Sequence, residues 1–218
     1  GAQKAGTTSL QKIFESDNRF FLPDCKEVQY FSLNHEKGVK WYSSHFTNAL
    51  KNQIIGEITP YYLFHPKAAK RIKELLPNIQ LIALLRDPVE RTISQYFHAR
   101  RHGFENLSIA DALRNEKERL KNGSTYSHQK HSYISRSKYI NQLDSYHSIF
   151  NKSKILVLRS EDLFFNPNLI WGKIQNFLMM KELPLTIKLP KANSGLGESV
   201  DLDMEIRLKL RNELQSTA

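Results

Sequence analysis

The chain has 218 residues, 40% of them hydrophobic and 25% charged, which is enough apolar material for one full-sized core and too balanced a mixture for a disordered or fibrous protein. A formal charge of +10 favours anionic ligands: nucleotide phosphates, sulfated or carboxylated glycans, nucleic acid or acidic lipid. Its one cysteine, Cys25, excludes an intrachain disulfide and fits a reducing compartment, no Cys/His cluster has zinc-ligand spacing, and no apolar run reaches the length of a membrane span.

The first ten residues, Gly1-Ala2-Gln3-Lys4-Ala5-Gly6-Thr7-Thr8-Ser9-Leu10, form a glycine-bracketed turn running into a helical pattern with Leu10, Ile13 and Phe14 on one face. Glycines let backbone amides converge on an anion, the helix adds the positive end of its dipole, and Lys4 adds a mobile ammonium. A nucleotide triphosphatase places its lysine after the second glycine, where this chain has Thr7. Lys4 precedes Gly6 instead, and Thr7, Thr8 and Ser9 offer neutral donors, which suits a phosphate held without a metal. The bland alternative is a threonine-capped helix after a glycine turn. Such a loop normally follows a buried strand, so the natural protein is expected to begin earlier, with room ahead of Gly1 for a targeting segment or anchor.

Phe20 to Phe31 reads as a loop with a short ordered element, and Gly38 to Tyr42 begins a helical stretch. Ile54 to Ile58 is a short strand closed by Thr59-Pro60, and the helix after His65-Pro66 carries Ala68, Ile72 and Leu75 until Pro77 stops it. Ile79 to Leu85 is nearly all apolar, as a parallel strand buried on both faces should be, and ends in Arg86-Asp87-Pro88. The helix from Val89 buries Ile93 and Phe97, leaves Arg91, Gln95, Arg100 and Arg101 for polar surfaces, and stops at Gly103. A second helix follows Asn106-Leu107-Ser108, then a polar loop from Asn122 to Ser132, a helix from Ile134 to Phe150, a buried strand from Lys154 to Arg159 and a helix from Pro167 to Met180. The alternation predicts a single α/β domain over 1–218, a P-loop-type three-layer fold whose mostly parallel sheet is flanked by helices, with ligands at the carboxyl ends of the strands. Arg86 ends its strand and Ser94 lies eight residues later in the next helix, so both can serve a second phosphate; alone, Arg86-Asp87 would be a local ion pair and Ser94 a surface serine.

Two separated motifs carry a resemblance. Gly1 to Leu10 resembles the 5′-phosphosulfate loop, and Arg86-Asp87-Pro88-Val89-Glu90-Arg91-Thr92-Ile93-Ser94-Gln95-Tyr96 the 3′-phosphate motif, of the sulfotransferase superfamily that uses 3′-phosphoadenosine 5′-phosphosulfate (PAPS). Lys26-Glu27-Val28-Gln29-Tyr30-Phe31 is similar to the glutamate-base segment of the heparan-sulfate-type and related bacterial branch, Gly38 to Tyr42 to a nearby Gly-x-x-Trp-Tyr element, and Ser160 to Leu163 to a late turn. Lys191 and Asn193 stand where the family's loop closes over the donor, without the glycine-arginine pair of the glycan enzymes.

The resemblance implies PAPS as donor, adenosine 3′,5′-bisphosphate as product, no metal, and a hydroxyl or amine acceptor on a carbohydrate, glycan or small molecule. It implies Glu27 and Lys4 as catalytic residues, and Lys4, Ala5, Gly6, Thr7, Thr8, Ser9, Arg86, Ser94, Lys191 and Asn193 as donor-binding. Sulfuryl transfer needs the same provisions independently: in-line positioning, a base for the acceptor proton, and positive charge at the leaving oxygen. Without the resemblance, Glu27 beside Lys26 is a solvated surface pair. His35, His45 and His65 are reserve bases. Arg136 to Tyr139 either faces the nucleotide or is ordinary helix with a core tyrosine, and Tyr30, Phe31, Trp41, Tyr42, Tyr61 and Tyr62 either line an acceptor cleft or form core. A P-loop kinase or nucleotide hydrolase and a non-catalytic polyanion-binding protein are the competing readings; nucleic acid is not expected as a partner. A cytoplasmic location is expected of the bacterial type, and a Golgi lumen if an anchor precedes Gly1.

Overall fold

A computed structural model of the chain describes residues 1–121, 123–189 and 204–215. They fall into two compact units, one of residues 1–85 and 145–189 and the other of residues 86–121, 123–144 and 204–215. No helix among the described residues is long and apolar enough to cross a membrane.

The first unit holds helices α1 (Thr7–Glu15), α2 (Gly38–Ser44) and α3 (Ala68–Leu75), strands β1 (Phe20–Phe21), β2 (Ile54–Ile55), β3 (Leu81–Leu85) and β4 (Ile155–Arg159), and, late in the chain, helices α8 (Ser160–Phe165) and α9 (Pro167–Phe177). β1 pairs with β2 and β3 with β4, both in parallel, the second from Leu81↔Ile155 to Leu85↔Arg159. Parallel pairing requires a crossover connection, and helices lie between the strands of each pair. α1 turns Leu10, Ile13 and Phe14 inward, and Phe14, Phe20 and Trp171 meet edge-on or tilted at centroid distances of 4.9–5.7 Å. Trp171 comes from α9, whose first turn is capped by Asn166 accepting from the Leu169 amide.

In the second unit α4 (Pro88–Arg101), α5 (Ile109–Lys121) and α10 (Met204–Leu214) enclose a core of Val89, Ile93, Tyr96, Ile109, Ala112, Tyr133, Ile134, Leu210 and Leu214. The polar stretch expected to be a loop contains a one-and-a-half-turn helix, α6 (Thr125–Lys130), capped by Ser124. The helix expected from Ile134, α7, begins instead at Tyr139 and ends at His147, after a short 3-10 turn over Ser135–Ser137.

One expectation fails outright. Arg91 and Gln95, assigned to polar surfaces by helix periodicity, are 0% and 2% exposed. The segment 133–137 covers them: Arg91 donates to Ser137 Oγ, Gln95 Oε1 and the Tyr133 carbonyl. That segment is held in turn by Glu116, which accepts the amides of Ile134 (2.7 Å) and Ser135 (2.8 Å). A buried guanidinium is tolerated because its donors are met by fixed acceptors.

Candidate functional site

The glycine turn is built against β3. The Ala2 amide donates to the Leu84 carbonyl at 2.8 Å, and a Cβ on Gly1 would fall 2.7 Å from the Leu84 nitrogen, so only glycine allows that approach. Lys4 adopts a left-handed φ of +70° and Gly6 one of +85°. At Gly6 a side chain would be strained by φ, and the Phe164 ring, 2.9 Å from the Cβ position, would have to shift. No side chain caps α1, whose first amides, including those of Thr7 and Thr8, have no intrahelical acceptor. Ala5 is fully buried and Thr7 nearly so, while Thr8 is exposed and Lys4 and Ser9 half-buried. The result is an uncapped helix end lined by hydroxyls and a lysine, the fit an anionic phosphate requires.

Glu27 meets this loop through its neighbour. Lys26 Nζ donates to Thr8 Oγ1 at 2.6 Å and lies 3.9 Å from Glu27 Oε1. Glu27 and Gln29 both take left-handed backbone, φ +63° and +59°, with Val28 between them buried in the core. This turn aims Glu27 outward. Its Oε2 accepts from Gln29 Nε2 at 3.1 Å, and Gln29 Oε1 accepts from Ser32 Oγ at 2.7 Å, so a two-step relay fixes the carboxylate. The Gln29 carbonyl gathers the amides of Ser32, Leu33 and Asn34, and Arg71 on α3 donates to the carbonyls of Phe31 and Ser32.

In the other unit, Arg86 follows β3 directly and is half-buried. Its carbonyl accepts from Tyr139 Oη at 3.0 Å. Asp87 caps α4 by accepting from the Glu90 amide at 2.9 Å, and Pro88 occupies the first helical position. Thr92 and Ser137 both donate to the Pro88 carbonyl, which pins the first turn. Ser94 projects from α4 half-buried.

The family model described as Sulfotransferase domain matches residues 1–189. The chain belongs to the sulfotransferase family. It is 42% identical over 99 residues to the Membrane-associated sulfotransferase kil1 of Dictyostelium discoideum, a match that covers 44% of this chain and 21% of that protein. With the human Heparan sulfate glucosamine 3-O-sulfotransferase 6 it shares 28% identity over 188 residues, 84% of this chain and 52% of the relative. The chain thus spans from about a fifth to about half of these relatives. Among solved structures, a sulfotransferase from Alicyclobacillus acidocaldarius superposes with a TM-score of 0.82 over 100% of this chain and 90% of its own, at 23% identity, and the sulfotransferase domain of the curacin biosynthetic pathway with 0.63, over 100% and 94%, at 14%. These likenesses show the fold, the P-loop-type α/β fold of sulfotransferases.

Within this sulfotransferase domain the remaining expected residues fall as follows. Lys191 and Asn193 lie outside the described residues. Arg136 is buried, with Nη2 donating to the carbonyls of His128 and Gln129, and Tyr139 supports the Arg86 backbone. Tyr30, Phe31, Tyr42, Tyr61 and Tyr62 are buried as core, while Trp41 stays half-exposed with Lys37 4.4 Å from its ring centre. The reserve histidines have other contacts: His35 against Tyr30, His45 Nδ1 3.5 Å from Cys25 Sγ, and His65 accepting from the Lys67 amide.

Sequence reasoning passed over Glu57. Its carboxylate accepts from Tyr42 Oη (2.9 Å), Thr59 Oγ1 (2.9 Å) and Tyr62 Oη (3.1 Å), and Tyr62 Oη accepts from the Phe31 amide. Glu57 therefore anchors the floor beneath the Glu27 segment. Burial raises its pKa above the ordinary 4.5 against the pull of the three hydroxyls. The folded chain then binds a proton more readily than the unfolded one, so the ionised carboxylate carries a folding penalty that disappears as pH falls toward 4.5. Wild-type protein should accordingly gain stability over Glu57→Gln between pH 7 and pH 5 in urea titrations. Glu57→Ala should lose about 2–4 kcal/mol at neutral pH, because three hydroxyls forfeit their acceptor.

Proposed function

We propose that the chain moves a sulfuryl group from PAPS to a hydroxyl or amine of a glycan acceptor. The observation that carries this is the junction of Thr8, Lys26 and Glu27, which sets a carboxylate beside an anion-binding helix end. The sulfotransferase membership and the heparan-sulfate relatives support donor and acceptor class alike. PAPS, when bound, supplies an activated sulfuryl group on a phosphate leaving group. The Gly1–Gly6 turn and the first amides of α1 would hold its 5′ end, and Lys4 would stabilise negative charge there. Arg86 and Ser94 are assigned to the 3′-phosphate. Glu27, fixed by Gln29, would take the acceptor proton.

Calorimetric titration tests the donor. Adenosine 3′,5′-bisphosphate should bind tightly with or without EDTA, ATP weakly, and Arg86→Ala should weaken the bisphosphate about 10–100-fold, the worth of a charged hydrogen bond. Magnesium-dependent ATP binding in its place would favour a kinase or hydrolase. A screen of glycan oligosaccharides with labelled PAPS, read by mass spectrometry, identifies the acceptor; binding of the polymer with no transfer would favour a non-catalytic protein.

A further inference from the structure

Lys26 touches both sides of the proposed reaction. Its ammonium donates to Thr8 Oγ1, in the first turn of α1, at 2.6 Å, and stands 3.9 Å from Glu27 Oε1. The side chain is 29% exposed, so it lies along the surface of the site without being sunk into the core. A lysine has three donors on a compact charge, and two of its directions are committed here, one to the donor-binding loop and one to the base. Surface Lys–Glu neighbours normally contribute little. This one differs because a hydroxyl of the anion-binding turn, eighteen residues away in sequence, fixes where the ammonium sits.

We propose that Lys26 is the second cation of the transfer site, contacting the sulfuryl oxygens of bound donor while making no contact with the bisphosphate portion. The inference rests on the sulfotransferase function proposed above and adds a residue to it. In the transfer, the bond between sulfur and the 5′-phosphate oxygen breaks, a bond from sulfur to the acceptor oxygen or nitrogen forms, the acceptor proton passes to Glu27, and the electron pair leaves with adenosine 3′,5′-bisphosphate. Lys26 exchanges nothing. It holds a positive charge beside the group in passage, where a cation that stays put lowers the barrier without reorganising. Lys4 and Lys26 then divide the work, since Lys4 belongs to the glycine turn that holds the leaving phosphate and Lys26 to the segment that carries the base.

The two ligands of the donor site separate these roles, because the bisphosphate lacks the sulfuryl group. Titration of Lys26→Met with each, in the absence of acceptor, should show PAPS affinity reduced about tenfold or more and bisphosphate affinity within about twofold of wild type. Lys26→Arg should recover most of the PAPS affinity, and the thermal midpoints of both variants should match the parent. Equal loss for the two ligands would make Lys26 a buttress of the Thr8 turn and overturn the proposal. No loss for either would make it a surface lysine and overturn the proposal as well. Wild-type protein that binds neither ligand would instead overturn the donor assignment, a result that the wild-type titration alone reveals.

Discussion

Glu27→Gln is expected to cut sulfuryl transfer by about 10²–10⁴-fold, the range spanned by loss of a positioned general base. Glutamine keeps the length and shape of the side chain, and its carbonyl oxygen can still accept from Gln29 Nε2, which meets the native carboxylate at 3.1 Å. What disappears is the capacity to take a proton from the acceptor. Because Glu27 meets the start of α1 through Lys26, titration with adenosine 3′,5′-bisphosphate should give an affinity within about twofold of wild type. Rates with labelled PAPS and a defined acceptor check the first part and calorimetry the second. Full turnover in the variant would move the role of base elsewhere and leave the family membership untouched.

Lys4→Ala should be comparably damaging to transfer, by about 10²–10³-fold, and should differ in one respect: the bisphosphate should also bind about 10–100-fold more weakly. Lysine and alanine both carry a Cβ, so the left-handed φ of +70° at this position is no more strained in the variant than in the parent. The loss can therefore be read as the loss of an ammonium from the turn. Variants at positions 4 and 27 thus form a pair, one impairing donor binding and rate together, the other rate alone. A Lys4→Ala protein that bound the bisphosphate normally would remove Lys4 from the donor site.

The two motifs were legible because their chemistry is local. A glycine turn entering an amphipathic helix, and an apolar strand ending in Arg-Asp-Pro, declare themselves within about ten residues, and β3, β4 and α4 lie where the apolar runs put them, although β4, expected to be buried, buries Leu158 alone of its five residues and leaves Val157 42% exposed. Long-range cover was not legible. Helix periodicity puts Arg91 and Gln95 on a solvent-facing polar surface, yet Tyr133 and Ser137, more than forty residues beyond Arg91, bury that face with polar atoms of their own. Glu57 was invisible for the same reason: its three hydroxyl partners come from two separate segments, Tyr42 on α2 and Thr59 and Tyr62 beyond β2. Lys26 belongs to a segment whose chemistry pointed to its neighbour Glu27, and only the fold puts its ammonium on Thr8. The helix α10 went unread, although Leu210 and Leu214 at i and i+4 close the second core.

The backbone at position 27 sets a limit on how that residue can be interrogated. A φ of +63° is costly for side chains branched at Cβ and easy for glycine or asparagine. Valine, threonine or isoleucine there would strain the turn whatever they did to proton transfer, whereas glycine would relax it and free the neighbouring glutamine. A saturation scan of this codon would consequently sort amino acids by conformational tolerance as much as by acidity, and only the amide and the shorter acid sample the chemistry on an unaltered frame.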